Sequence, residues 1–183
     1  RARNLHKTAQ QVRDEYAGEF PQTYSEIIRL KGIGPYTAAA ISSFAFDLPH
    51  AVVDGNVYRI LSRYFGIDEA IDTGKGKKIF QELADSLIPE ASPALFNQAI
   101  MEFGAIQCTP NNPDCDSCVL NQSCASAFNA ELIKKRPLKK GKTKVRKRYF
   151  HYLHIEKEGL IALDQRRTKD VWEKLYEFPM IES

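Results

Sequence analysis

Apolar residues recur at helical spacing along most of the chain, from Arg1 to Cys124. No alternating apolar run in this segment is long enough to demand a sheet. The apolar faces of the main predicted helices are Leu5, Ala9, Val12 and Tyr16; Val57, Ile60, Leu61, Tyr64 and Phe65; Ile79, Phe80, Leu83 and Leu87; and Phe96, Ala99, Ile100 and Phe103. Together these faces predict a mainly α-helical domain around one core.

Helix-terminus signals divide this segment further. Thr23 followed by Glu26 is a capping-box pattern, which predicts a short helix that ends at Leu30. The two glycines within residues 31–34 then predict a turn. Another helix follows this turn, with Pro35 in its first turn.

The composition changes after Ala130. Residues 134–148 hold ten Lys or Arg and no acid, and Pro137 and Gly141 interrupt the run. We therefore predict an interdomain linker over residues 131–148.

The segment after the linker has a different pattern. Residues 149–155 and 160–163 are β-prone runs, and the intervening residues 156–159 predict a hairpin between them. We therefore expect a helical domain over residues 1–130 and the beginning of a truncated, β-containing domain over residues 149–183.

The overall composition is that of an ordinary globular chain, at 43% hydrophobic and 27% charged residues. It excludes collagen, low-complexity disorder and a disulfide mini-scaffold. The net charge of +3 comes from the basic run and is weak evidence for nucleic acid. No apolar stretch approaches the roughly 18 residues of a membrane helix, and no secretory leader opens the chain, so we expect an intracellular protein with no membrane partner. Because the chain opens inside a helical pattern without an initiator Met, we expect a fragment.

Four cysteines lie close together and are spaced C-x6-C-x2-C-x5-C. Thiolates so near one another in an intracellular chain favour a metal centre over disulfides or buried free thiols. Structural zinc usually has two tight pairs, whereas four cysteines with one tight pair favour a [4Fe-4S] cluster, with zinc as the second candidate. The predicted ligands are Cys108, Cys115, Cys118 and Cys124.

Two further features combine structural and chemical interpretations. The hairpin Gly32, Ile33 and Gly34 is either a tight interhelical turn or an anion site made of backbone N–H groups at a helix N-terminus. Asp54 is predicted to cap the helix that follows it, and the same helix dipole would keep its carboxylate ionised for the stabilisation of a cation.

The order of these features resembles a known family. The segments LKGIGPYTAAAI at 30–41, VVDGNVYRILSR at 52–63 and FNQAIMEFGAIQC at 96–108, with the remaining cysteines, resemble the helix-hairpin-helix DNA glycosylases of the endonuclease III superfamily. The likeness is closer to the MutY-type adenine DNA glycosylases. Residues 160–167 and 172–179 resemble the start of the Nudix-like domain with which those enzymes sense 8-oxoguanine.

The resemblance implies a fold and a function. It implies a mainly α helix-hairpin-helix DNA glycosylase fold with an iron–sulfur loop at 108–124, followed by the linker and the Nudix-like segment. It also implies base-excision repair, with hydrolysis of the N-glycosidic bond of adenine mispaired with 8-oxoguanine or guanine in double-stranded DNA. A monomer is expected, in the cytoplasm, or with the nucleoid in a bacterium.

The resemblance also assigns roles to residues. Asp54 would stabilise the oxocarbenium-like sugar, Asn56 and Tyr36 would line the site, and the hairpin would anchor a phosphate. The general acid of the family lies upstream of Arg1, so this segment is expected to be inactive alone. Tyr36 stands where the bifunctional members have a Schiff-base lysine, so a monofunctional enzyme is implied.

Several alternatives stay open at this stage. The chain could be an endonuclease III-like pyrimidine glycosylase with lyase activity, or a noncatalytic helix-hairpin-helix DNA-binding module. Arg59 and Arg63, one turn apart, are expected either to reach phosphates or to lie on a solvated face. The linker bases Lys139, Lys140, Lys142 and Lys144 are expected either to attract DNA or only to solubilise the linker.

Overall fold

A computed structural model describes residues 2–141 and 146–183, and Lys142 and Lys144 of the predicted linker lie outside these ranges. The chain divides into two compact units, Arg1–Gly141 and Lys142–Ser183. The helices of the first unit are α1 Ala2–Glu15, α2 Tyr24–Ile27, α3 Pro35–Phe46, α4 Gly55–Phe65, α5 Gly74–Leu87, α6 Pro93–Ile106 and α7 Ala130–Lys135, with a short 3₁₀ turn at Asn121–Ser123.

The ends of the long helices carry residues that are typical of helix termini. Pro35 occupies the first turn of α3, and Asp47 ends this helix in the left-handed region at φ 52°. The side chain of Asp54 caps α4, and Gly66 ends it at φ 72°. α6 begins at Pro93, so it also has a proline in its first turn.

The short helix α2 differs from its prediction. The hydroxyl of Thr23 donates to the Glu26 carboxylate at 2.5 Å, and the Thr23 side chain caps no backbone N–H, so the predicted capping box is wrong. α2 also ends at Ile27 rather than Leu30. The N–H of Leu30 donates to the Ile27 carbonyl, so the last residues form tight turns instead of α-helix.

The helix α1 also differs from its predicted pattern. Leu5, on the predicted apolar face, is 72% exposed. Thr8 is the buried residue among those described in α1, with 8% of its surface exposed. The inward face of α1 is therefore mixed, with Thr8 buried and both Gln11 and Val12 half-buried.

The core of the first unit lies between α4, α5 and the loop that precedes α4. Val57 and Leu61 of α4 pack with Phe80 of α5, which is fully buried. Tyr58 meets the Phe80 ring edge-on, with centroids 5.2 Å apart. This core holds the first turn of α4 in place, together with Asp54 at its N-terminus.

The helix α6 approaches α4 most closely at Gly104. Asn97 and Gly104 are buried, whereas the predicted apolar face, with Phe96 and Phe103, is only partly buried. That face lines an open apolar groove together with residues of α4. The helical periodicity is therefore correct, and Ile100 of the predicted face packs against the core cluster that contains Val57 and Leu61 of α4.

The first part of the predicted linker belongs to the helical unit. α7, which begins at Ala130, takes up the first residues of the predicted linker, and Asp72 accepts hydrogen bonds from the N–H groups of Lys140 and Gly141 at 2.8 Å each. The compact unit therefore extends to Gly141 instead of 130. The basic composition conceals this packing because it resembles a solvated linker.

The second unit contains short antiparallel strand pairs. The strands are β1 Phe150–Tyr152, β2 Glu156–Lys157, β3 Leu160–Ile161, β4 Asp164–Gln165, β5 Tyr176–Glu177 and β6 Met180–Glu182, and the pairs are β1 with β6, β2 with β3, and β4 with β5. The predicted hairpin between the runs 149–155 and 160–163 is thus shifted. Its strands are β2 and β3, and β1 pairs with the last strand instead.

Charged and aromatic side chains hold the second unit together. Arg166 is buried, donates to Asp170 at 2.8 Å and to Glu177, and places its guanidinium 5.2 Å from the Trp172 ring centroid. Hydrogen bonds, first of all from Arg148, hold the pKa of Asp170 well below its ordinary value.

None of the helices in the described part of the chain has the length and apolar character that a membrane span requires.

Candidate functional site

The hairpin between α2 and α3 is a tight turn. Gly32 has φ +84°, and a Cβ added there would lie 2.5 Å from the Asn4 side-chain nitrogen, so both backbone and space require glycine. The N–H of Ile33 closes the turn by donating to the Leu30 carbonyl at 3.1 Å. Because this donor is already paired, an anion at the turn would have to bind the N–H groups of its neighbours.

The first turn of α3 supplies those neighbours. Gly34 is the N-cap, in extended backbone, and a Cβ there would meet no atom within 4 Å. The first helical hydrogen bond runs from Ala38 N–H to the Gly34 carbonyl, so the N–H groups of Tyr36 and Thr37 precede the helical ladder. Tyr36 itself is 48% exposed. This helix start can bind an anion through main-chain donors.

Asp54 caps α4, as predicted. Its Oδ1 accepts the N–H groups of Asn56 and Val57, both at 2.8 Å, and its Oδ2 accepts the Asn56 side-chain amide at 3.1 Å. The residue is half-buried. These bonds and the α4 dipole orient an anionic carboxylate at the edge of the core.

A buried arginine, Arg59, holds the Asn56 side chain that contacts the Asp54 carboxylate. Arg59 donates to Asn56 Oδ1 at 2.8 Å, to the Cys108 carbonyl at 2.7 Å and to the Gly104 carbonyl. Burial lowers the pKa of Arg59. The expectation that Arg59 reaches phosphates or lies on a solvated face is therefore wrong, because its donors serve the protein's own oxygens.

Arg63 holds the cysteine loop. It is 3% exposed, and its guanidinium donates to the carbonyls of Thr109 at 2.7 Å and Ile133 at 2.8 Å. It also lies 3.5 Å from Cys108 Sγ. Like Arg59, it is neither a phosphate ligand nor part of a solvated face.

Close packing between α4 and α6 sets the position of Asn56. A Cβ added at Gly104 would lie 2.7 Å from the Cβ of Asn56. Because real side chains do not approach so closely, glycine at 104 is what allows Asn56 to reach Asp54.

Asn97 positions the loop before Asp54, and sequence reasoning missed it. The residue is 1% exposed. Its Oδ1 accepts the Val52 N–H at 2.9 Å, and its Nδ2 donates to Ser43 Oγ at 2.8 Å and to the His50 carbonyl at 3.0 Å. The sequence carries no signal that separates Asn97 from the neighbouring amide of Gln98, which is exposed.

The four cysteines line one cavity, together with Arg63 and apolar side chains of α4 and α6. All four thiols are free of disulfides and partly buried. In residues 2–141 and 146–183, no three His, Cys, Asp or Glu side chains are grouped so as to hold a single metal ion. A thiol-lined cavity with a buried guanidinium beside Cys108 fits an anionic cluster that is larger than one ion.

The structure thus connects some predicted site residues and leaves others apart. Asp54, Asn56 and the backbone of Cys108 belong to one hydrogen-bonded chain through Arg59. The hairpin residues are not part of this chain among the described hydrogen bonds.

Comparisons with known proteins agree with this geometry. The helix-hairpin-helix motif matches residues 15–44. An adenine DNA glycosylase of Buchnera aphidicola subsp. Baizongia pistaciae is 37% identical over 179 residues, which are 98% of this chain and 50% of that protein. The chain is thus similar to an adenine DNA glycosylase over nearly all of its own length. The adenine DNA glycosylase of Schizosaccharomyces pombe is 38% identical over 135 residues, which are 73% of this chain and 29% of that protein.

Solved structures confirm a mainly helical, endonuclease III-like fold. A thermostable thymine-DNA glycosylase has a TM-score of 0.64 and 35% identity, covering 69% of this chain and 58% of that one. An endonuclease III–DNA covalent intermediate has a TM-score of 0.59 and 28% identity, covering 69% and 57%. The chain spans about half the length of the Buchnera aphidicola adenine DNA glycosylases that it matches.

Proposed function

We propose that the complete protein is a base-excision repair enzyme that hydrolyses the N-glycosidic bond of adenine mispaired with 8-oxoguanine or guanine in double-stranded DNA. The observation that carries the proposal is the carboxylate of Asp54, half-buried and held by Asn56 and Val57 in a chain similar to an adenine DNA glycosylase. The 8-oxoguanine preference is the finer part of this proposal.

Asp54 would act on the sugar. As adenine leaves, positive charge develops on the deoxyribose, and a fixed carboxylate stabilises it or forms a transient adduct, as in glycosidases. Asn56 donates a hydrogen bond to one oxygen of this carboxylate, so the carboxylate is already oriented and does not need to move during the reaction. Protonation of the adenine also needs a general acid, a role that the proposal gives to none of the described residues. The segment alone would then be inactive.

The hairpin would hold the DNA strand. Main-chain N–H groups at Gly32, Gly34 and the first turn of α3 suit a phosphate, and the exposed Tyr36 would lie beside the extruded nucleotide. Extrusion costs a few kcal/mol, and mispairing lowers this cost.

A pyrimidine glycosylase with lyase activity is the second candidate, favoured by the likeness to the thymine-DNA glycosylase and to the covalent endonuclease III–DNA intermediate. Tyr36 argues against it, because a phenol cannot form the imine that a lysine forms. Borohydride trapping on damaged DNA tests this. A covalent complex would favour the lyase.

The decisive test is Asp54→Asn in the complete protein. Asn caps a helix about as well as Asp, so the fold should persist. We expect adenine release to fall by about 100-fold or more, since a fixed charge at the reacting sugar is lost. DNA affinity should stay unchanged. The control is Asp47→Asn, an exposed residue in the left-handed region that Asn adopts readily. Unchanged release in Asp54→Asn would refute the assignment.

We also propose that Cys108, Cys115, Cys118 and Cys124 hold a [4Fe-4S] cluster, with zinc as the alternative occupant. The shared cavity and Arg63 beside Cys108 Sγ support this. When bound, the cluster would brace the loop from 108 to 124, and no step of the reaction needs its electrons. A brown colour and about four irons per protein would support the cluster, and stoichiometric zinc would contradict it.

The remaining parts of the proposal concern the whole protein. Residues 149–183 would begin a Nudix-like domain that senses 8-oxoguanine, and the protein would act as a monomer on mismatched duplex DNA. A location with the DNA, in the cytoplasm or nucleoid of a bacterium, stays a prediction.

A further inference from the structure

The helix α1 turns a polar stripe toward the hairpin. Asn4, Thr8 and Gln11 are spaced i, i+4 and i+7, so they share one face of the helix. Thr8 is 8% exposed, although a hydroxyl is a poor choice for a buried helix face unless it has a partner.

Both polar backbone groups of Lys31 find their partners on this stripe. The Thr8 hydroxyl donates to the Lys31 carbonyl at 2.6 Å, and the Gln11 Oε1 accepts the Lys31 N–H at 3.0 Å. Asn4 lies against Gly32 so closely that a Cβ at Gly32 would overlap it. The stripe therefore touches the hairpin at two consecutive residues.

The contact with the Lys31 carbonyl has a geometric consequence for the next residue. The Lys31 C=O and the Gly32 N–H belong to one planar trans peptide and point in opposite directions. Because Thr8 holds the carbonyl toward α1, the Gly32 N–H must point away from α1. Glycine would otherwise allow this peptide many orientations.

We propose that Thr8 and Gln11 are positioning residues for DNA binding, which orient the hairpin's N–H donors before a phosphate arrives. This inference rests on the proposed function, in which the hairpin anchors a phosphate of the adenine strand. Preorganised donors bind more tightly because less conformational freedom is lost on binding.

The test uses Thr8→Val, which keeps the shape and removes the hydroxyl, and Thr8→Ser, which restores it, in the complete protein. The probe is a duplex with adenine opposite 8-oxoguanine. We expect Thr8→Val to raise the dissociation constant about fivefold, the worth of one hydrogen bond, and Thr8→Ser to restore wild-type affinity.

Two readouts separate positioning from general damage to the fold. The single-turnover rate of adenine release at saturating DNA should stay within about twofold of wild type, since an affinity contact to the ground state changes KM rather than kcat. The dependence of affinity on salt should keep its slope, because backbone N–H groups release no counterions.

Gln11→Ala should also weaken binding, whereas the matched control Gln10→Ala, at an exposed neighbour, should not. The Gln11 variant keeps the proposal testable if Thr8→Val does not fold. Equal affinity of wild type, Thr8→Val and Gln11→Ala would overturn the inference.

A glycine pair distinguishes this failure from failure of the hairpin assignment. Gly34→Ala adds a methyl group in open space where the phosphate is proposed, and Gly74→Ala adds one in open space at the start of α5. We expect only Gly34→Ala to weaken DNA binding. If it does so while the α1 variants bind normally, the inference alone fails. If Gly34→Ala binds DNA as tightly as wild type, both the hairpin assignment and the inference about α1 fail.

Discussion

Asn97 shows how a single buried side chain organises the site. Its amide joins α3, α6 and the loop before Asp54 through three hydrogen bonds. A buried amide with all these partners is specific, because any apolar replacement leaves several backbone and hydroxyl groups unpaired.

We predict that Asn97→Leu lowers the free energy of unfolding by about 3 kcal/mol or more, since Val52 N–H, the His50 carbonyl and Ser43 Oγ lose their partner. Gln98→Leu is the matched control, because Gln98 is the neighbouring amide and is exposed. Urea denaturation of both variants measures the difference. An equal loss in the two variants would contradict the role given to Asn97.

At this scale the sequence predicts side chains that act locally and misses those that act at a distance. Asp54 is recognisable because a cap and its helix are adjacent in the chain. Arg59 and Arg63 are misread because charge at helical spacing says nothing about which carbonyls lie opposite. Those carbonyls come from residues more than forty positions away.

The helix α7 is an element held to the first unit by charge. Arg136, just after it, donates to Asp68 at 3.0 Å and to Ser126 Oγ at 2.9 Å. Lys135 also donates to Asp68, at 3.2 Å. The hydrogen bond from Arg136, followed by that from Lys135, lowers the pKa of Asp68.

This lowered pKa predicts a pH dependence. The folded protein holds Asp68 ionised to lower pH than the unfolded chain does, so its contribution to stability is present above the unfolded pKa of about 3.9 and is lost as pH falls through the folded value. The stability difference between wild type and Asp68→Asn should therefore be constant from about pH 5 to 7 and shrink below about pH 4. Chemical denaturation across this range measures it. A difference that grows toward acid pH would contradict the assignment.

Element boundaries were predictable where capping residues mark them, as at Asp54 and Gly66 for α4. The helix α7 was missed because its basic residues resemble a solvated linker, and its partners on α4 and Asp68 are remote in sequence. The pairing of β1 was missed for the same reason, since its partner β6 is the last strand.

At the scale of the whole molecule, the boundary of the helical unit is a testable quantity. A chain that ends at Gly141 should keep the thermal stability of the first unit. A chain that ends at Asn129 should melt about 5–10 °C lower, because Arg63 loses the carbonyls of Ile133 and Arg136 as partners. Circular dichroism melts compare the two. Equal melting temperatures would restore the boundary at 130.

The fold class was predictable because helical periodicity and turn residues are local signals. The candidate site was predictable only in part, since Asp54, the hairpin and the cysteines carry recognisable patterns, but the side chains that hold each of them in place do not. Thr8, Arg59 and Asn97 act through tertiary partners that no spacing reveals.

The close approach at Gly104 makes the proposed site vulnerable at a position that holds no functional group. Any larger residue there must push Asn56 aside, and Asn56 in turn holds one oxygen of Asp54. If every position of the complete protein is substituted and each variant is scored by the spontaneous mutation rate of its host, substitutions at Gly104 should raise that rate about as much as substitutions of Asp54. Even alanine, which adds one methyl group, should have this effect.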